Sequence, residues 1–296
     1  MNPSDLKIAI SGDLGSGKST VCNLLRDTLG YPIFSMGETW RSLAEKYKMT
    51  ILELNQYSET HPLDEEMDQI MAAKGLEPGN MIFDSRLGWH FVPHSFKIHL
   101  IVNPRVAADR IFHDQRRGEA EEYTNIEEAA AKIAARKTSE NQRYLQKYRI
   151  DCANLRNYDL VVDTSTASSQ EIAALIIRVM NQWRGGQPFN PFWIGPRTPF
   201  PMQSTQAPES FLAAGTISLI QIDHDFFVFQ GIELLNEAFA KGLPLIPARV
   251  TACNNEIIVP PATTARQFVN QHCSFALIHE WEKRHGFKYP AYPLVE

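Results

Sequence analysis

Residues 12–19 read GDLGSGKS, a glycine-rich run that closes on a lysine and a serine. The pattern fits G-x-x-x-x-G-K-[ST], and its residue types suit phosphate. Glycines let backbone amides converge on phosphate oxygens with no Cβ in the way. Lys18 is placed to reach the β- and γ-phosphates, and Ser19 to hold Mg²⁺. A second metal anchor is Asp84, at the end of the apolar stretch NMIFD, where a strand-end carboxylate orients Mg²⁺ or its waters. The motif by itself fits a kinase, an ATPase or a nucleotide switch.

The elements that must position these groups follow from the flanking sequence. KIAIS (7–11) is a buried strand, and a helix is expected from about Gly17 to Leu29, its N-terminal dipole aimed at the bound phosphates. Segments 31–35, 80–84, 97–102 and 158–163 read as strands. Helical patterns cover 38–48, 50–58, 63–74, 104–117 and 126–148, with another after 163 running to about Trp183. Thr50 with Glu53 forms a capping box, and Asn125 with Glu128 opens another helix in the same way. Strands alternating with helices predict an α/β domain over 1–184, a parallel sheet with helices on both faces.

Residues 185–210 contain six prolines and no regular period, and read as a linker or a wrapping segment. Residues 211–296 form a smaller α+β module: two strands (ISLIQID and FFVFQ) joined by a tight turn, a helix (IELLNEAFAKG), a third strand (PLIPARV) and a helical tail over 263–285.

Composition narrows the class. An apolar fraction of 44% with 21% charged residues belongs to a globular chain. No apolar run reaches the ~20 residues of a membrane span, and the N-terminus lacks a secretion signal. Cys22, Cys152, Cys253 and Cys273 match no metal or redox spacing. A cytoplasmic, reduced protein is expected. The net charge of −5 argues against broad nucleic-acid binding while leaving room for a local basic site. His61, His90, His94 and His113 show no metal spacing, and Trp40 and Trp89 read as packing residues.

Several separated segments resemble the cytidylate kinases, chiefly their compact archaeal branch. These are ISGDLGSGKSTVCNLLRDTLGYPIFSMGETWRSLAEK, FDSRLGW, RKTSENQRYLQKYRID and YDLVVDTSTAS, in matching order and spacing across residues 6–183. The resemblance implies a P-loop nucleoside monophosphate kinase that uses ATP and Mg²⁺ to phosphorylate a small nucleotide. It places Gly12, Asp13, Gly15, Ser16, Gly17, Lys18, Ser19, Thr20 and Arg110 on ATP, and Ser19 and Asp84 on the metal. Arg41 and Arg86 would hold the acceptor phosphate. Arg136 and Arg143 would act at the transferring phosphoryl and the acceptor, and Glu140 would orient the base. Asp64 and Asp68 match acidic positions of the acceptor-binding helix, and Arg116 and Arg117 fall in the closing lid. The spacing Arg136–Glu140–Arg143 sets all three on one helix face, and forked, permanently charged guanidinium groups suit phosphate.

The chain departs from the pattern at Asp84-Ser85-Arg86, where the family has Glu-Gly-Arg, and in a longer, more acidic lid. CMP, dCMP or a modified pyrimidine nucleotide are the acceptors considered. A P-loop kinase acting on another target, or a regulatory module with little turnover, uses the same motif. The C-terminal module faintly resembles ParB/sulfiredoxin-like folds, but Gln230-Gly231-Ile232-Glu233-Leu234 stands where those carry charged residues. That resemblance implies a shape and no second activity. The module could instead recruit a protein partner or adjust the acceptor site.

Overall fold

A computed structural model of the chain describes residues 5–58, 61, 63–114, 123–203, 215–258 and 263–293. The expected lid arginines, Arg116 and Arg117, lie outside the described residues.

Strands β1 (Lys7–Gly12), β2 (Ile33–Ser35), β3 (Met81–Asp84), β4 (Phe96–Ile101) and β5 (Leu160–Asp163) pair in parallel in the order β2-β3-β1-β4-β5. Strand alternation sorts their side chains between the two faces. Ile8, Ile10, Ile98, Leu100, Leu160 and Val162 join α1 (Lys18–Leu29) and α8 (Ser169–Arg184) in one apolar cluster. Ser11 and His99, from the alternate positions, instead line a cavity beneath α7 (Ile126–Tyr148). A small polar residue and an imidazole stand there where aliphatic side chains would have filled the space.

Helices α2 (Met36–Tyr47), α3 (Ile51–Ser58) and α4 (Leu63–Leu76) form a satellite around Ala44, Leu54 and Leu63, against which Trp40 packs. The short α5 (Gly88–Phe91) buries Trp89, and α6 (Pro104–Phe112) follows β4. Sequence-level caps hold: the Glu53 carboxylate accepts from Thr50 N at 2.7 Å, and Asn125 Oδ1 accepts from Glu128 N at 2.8 Å.

The expected linker is corrected by the structure. Residues Phe192–Ile194 form β6, parallel to β5, with Val161 N donating to Pro191 O at 2.7 Å. A three-residue strand leaves no periodicity to read, and the surrounding prolines mask it. Residues 204–210 lie outside the described residues. The module continues the same sheet through β7 (Ile217–Ile222), β8 (Asp225–Gln230), α9 (Ile232–Ala240) and β9 (Ile246–Cys253). β9 pairs antiparallel with β6 and parallel with β7, and β7 forms a hairpin with β8. The result is one nine-stranded sheet. One apolar cluster accordingly runs from Phe83 and Trp89 through Phe192 and Ile194 to Phe227 and Trp281.

A small ribbon, β10 (Ile257–Ile258) with β11 (Thr263–Thr264), leads into α10 (Ala265–His272) and α11 (Phe275–His285), where one helical tail was expected. The final segment folds back onto the module. Tyr289 is buried with its hydroxyl donating to Pro199 O at 2.7 Å, and the buried Glu282 carboxylate accepts from Tyr289 N and Lys288 Nζ.

Candidate active site

The glycine-rich run turns sharply between β1 and α1. Gly15 has φ +78°, and a Cβ there would lie 2.8 Å from the Ala107 Cα, so the loop can lie against α6 only without one. Gly17, at φ +77°, begins α1 and supplies no side-chain cap, whereas Ser35, Asn103, Asn125 and Ser168 cap α2, α6, α7 and α8. The first-turn N–H groups of α1 therefore face the loop with no side chain to satisfy them, the arrangement that receives an anion. The Ser16 hydroxyl is likewise buried without a hydrogen-bond partner, and Gly12 closes the loop against the Leu100 carbonyl.

Lys18, Ser19 and Asp84 come together at this turn. The Lys18 ammonium pairs with the Asp84 carboxylate, and Ser19 Oγ donates to Asp84 Oδ2 at 3.3 Å. A hydroxyl and a carboxylate side by side are hard oxygen donors of the kind Mg²⁺ takes alongside phosphates and water. Among the described residues, no cluster of three or more His, Cys, Asp or Glu side chains could hold a metal alone. Thr20 is exposed on the first turn of α1.

Across the loop, Arg86 and Arg136 converge on one carboxylate. Arg86 pairs with Glu140, and Arg136 Nε donates to Glu140 Oε1 at 2.9 Å. Arg143 lies on the same helix with its guanidinium 5.3 Å from the centre of the Tyr144 ring, so Glu140 bridges Arg136 to Arg86 rather than to Arg143. Arg41 is exposed on α2 near Gly37.

Three expected ligand-binding residues are engaged elsewhere. Arg110 donates to the carbonyls of Gly15 at 3.1 Å and Thr164 at 2.7 Å, clamping the P-loop to the end of β5. Asp64 pairs with Lys147 at 3.5 Å, and Asp68 accepts from the Tyr148 hydroxyl, which ties α4 to the end of α7. Burial pushes the Asp68 carboxyl above its usual range. These contacts are tertiary, and helix-surface spacing carries no sign of them.

Sequence reasoning missed Lys137, His99 and Asp163. Lys137 Nζ lies 2.7 Å from Asp13 Oδ1. Burial works against the Asp13 charge, but Lys137 and then His99 outweigh it and hold the carboxyl below its usual range. His99 is buried, its Nδ1 is 2.8 Å from Ser11 Oγ, and it stacks on Tyr158 at 4.6 Å. Burial pushes its pKa down to about 4. Asp163, at the end of β5, accepts from Ser165 N at 2.9 Å, from Gly195 N at 3.0 Å and from the Thr198 hydroxyl, fastening the segment after β6 to the P-loop end of the sheet. An imidazole inside the apolar strand KIHLIV was the one visible signal among these.

These groups border a cavity of about 260 Å³. Its roof is the α7 face bearing Ile133, Lys137 and Tyr144, its floor is Ser11, His99 and Tyr158, and Arg86 and Glu140 stand on its wall.

The arrangement thus combines a tight glycine-rich turn bearing a lysine, a hydroxyl beside a carboxylate, and two arginines on one glutamate. Comparison with known proteins agrees. The family described as AAA domain matches residues 8–148. A cytidylate kinase from Pyrococcus furiosus is 38% identical over 175 residues, 58% of this chain and 86% of that protein. The chain belongs to the cytidylate kinase family. A cytidylate kinase from Thermoplasma volcanium is 32% identical over 63% of this chain and 97% of that one. An S-adenosylmethionine-dependent nucleotide dehydratase from Lacinutrix mariniflava is 34% identical over 173 residues, but the match spans only 35% of its length. With respect to membranes, none of the described helices is long and apolar enough to cross one.

Proposed function

We propose that the protein is a nucleoside monophosphate kinase that transfers the γ-phosphate of ATP to CMP or dCMP. The observation that carries this reading is the placement of Arg86 and Arg136 on a single carboxylate, Glu140, with Arg86 and Glu140 lining the cavity that P-loop residues Gly12 and Asp13 also line. An acceptor phosphate brings about two negative charges, and the two guanidinium groups can exchange Glu140 for it, with Arg41 and Arg143 as further donors. Kinases named for cytidylate among the relatives support the acceptor class.

Lys18 and the N–H groups at the start of α1 would hold the triphosphate. Lys18 gains most when charge moves toward the leaving oxygen, which is where a fixed cation lowers the barrier. Ser19 and Asp84 would ligate Mg²⁺, which when bound neutralises phosphate charge and aligns the reacting groups. Arg110 acts through the backbone, fixing the P-loop carbonyl of Gly15. No strong general base is required, because catalysis here is positioning and charge stabilisation.

A different nucleotide acceptor is the second reading, favoured by the Asp84-Ser85-Arg86 departure. Incubating the full chain with ATP, Mg²⁺ and each nucleoside monophosphate in turn, with ADP as the readout, tests both. CMP or dCMP should be the best acceptors, and Lys18→Ala should cut turnover by about a hundredfold or more. ADP release with no dependence on any acceptor would overturn the proposal.

A further inference from the structure

The kinase-like part does not enclose the cavity by itself. Its remaining wall is the tip of the β7–β8 hairpin, with Asp223, His224, Asp225 and Phe226. The continuous sheet makes this possible, because the added strands bring the hairpin to the α7 side of the P-loop. His224 lies within electrostatic reach of Lys137 and Asp13, the ion pair that reaches down from the α7 roof.

The tip is held in a defined shape. Asp223 adopts a left-handed conformation at φ 53°, its N–H donates to Asn254 Oδ1 at 2.8 Å, and its carboxylate pairs with Arg266 at 2.9 Å. Phe200 N donates to Phe226 O at 2.7 Å, and Val228 N donates to Phe200 O at 2.9 Å, which pins β8 from its other edge. Asp223 is thereby occupied in structure. The next two side chains are not: among the described residues, neither His224 nor Asp225 has a side-chain hydrogen bond or ion pair. A partly buried carboxylate without a protein donor, on a rigid turn facing a cavity, is a group that can select a ligand by its donors. Burial, with Asp223 adding to it, raises the Asp225 pKa to about 6.

The cavity walls differ in chemistry: Arg86 lines one, and Asp223, His224 and Asp225 line another. The Arg86 guanidinium suits a phosphate, whereas the hairpin carboxylates offer acceptors and repel one. A nucleotide entering phosphate-first toward Arg86 would turn its sugar hydroxyls or exocyclic amine toward the hairpin. We propose that the β7–β8 hairpin is a wall of the acceptor site, and that His224 and Asp225 are specificity-determining residues that bind the hydroxyl or amine donors of the acceptor's nucleoside end. This rests on the kinase reading above and assigns the C-terminal module to the same site.

The test uses the full chain and the variants His224→Ala and Asp225→Ala, with Lys241→Ala, exposed just past α9, as control. Calorimetry measures CMP binding, and steady-state kinetics separate the acceptor KM from the ATP KM. Loss of a donor–acceptor pair should raise the acceptor KM and the CMP Kd by about tenfold, leave the ATP KM within about twofold, and leave the control unchanged. His224→Gln and Asp225→Asn replace any alanine variant that does not melt cooperatively. Normal acceptor KM and Kd in folded variants would overturn the inference and leave the kinase reading intact. CMP binding weakened by the variants, without turnover on any nucleoside monophosphate, would overturn the kinase reading and keep the site. Neither binding nor turnover would overturn both.

Discussion

His99 should make the protein acid-sensitive in a way one substitution can isolate. The imidazole is buried between Ser11 and Tyr158, and burial, partly opposed by Asp13, lowers its pKa from the usual 6.5 to about 4. It is therefore neutral in the fold at any pH above about 4, whereas in the unfolded chain it takes a proton below 6.5. The unfolded state binds more protons across that window, so stability falls as pH falls through it. Between about pH 7 and about pH 4.5 the difference integrates to about 2.5 kcal/mol, a sizeable share of the ~5–15 kcal/mol typical of a domain. Burial of other histidines, His224 and His285, lowers their pKa values too, so wild type alone cannot assign the loss. His99→Gln keeps a hydrogen-bonding group near Ser11 and removes the titration. Urea unfolding of both proteins at the two pH values should show wild type losing about 2.5 kcal/mol more than the variant. Parallel losses in the two proteins would refute the argument that His99 is held neutral by its setting.

Lys137→Met should leave the Asp13 carboxylate without its cation. Because Lys137 is 33% exposed, the cost should be about 2 kcal/mol, below the ~3–5 kcal/mol of a fully buried pair; thermal unfolding and the ATP KM would both report it, and an unchanged melting point would show the pair to be dispensable. Ending the chain after Gly186 removes β6 and the partners that Asp163 finds in Gly195 and Thr198. Such a fragment should aggregate or melt well below the full chain, because the apolar cluster shared with the module is exposed; a soluble fragment that melts cooperatively and binds ATP normally would show that the kinase core stands alone.

The local order of the chain was legible because its determinants are local. The turn of the glycine-rich run, the capping residues Thr50 and Asn125 and the apolar runs of β1, β4 and β5 are written within a few neighbouring residues, and the structure places each where the sequence indicates. The meeting of Lys18, Ser19 and Asp84 was legible for the same reason, since strand ends of a parallel sheet converge on one edge. Which helix-borne charges face which could not be read in that way. Asp64, Asp68, Arg110 and Glu140 match positions that the family resemblance gives to ligands, and tertiary packing alone decides that Lys147, Tyr148, two backbone carbonyls and Arg86 meet them in this structure. The prolines of 188–201 hid a three-residue strand that periodicity is too short to reveal. That strand decides the architecture, because a sheet edge left open at β5 is extended through β6 into the module. The sequence alone thus determined an α/β core of cytidylate kinase type with its glycine-rich turn. Only the long-range pairing of strands far apart in the chain decided that one sheet spans both halves and brings Asp223–Phe226 to the wall of the cavity.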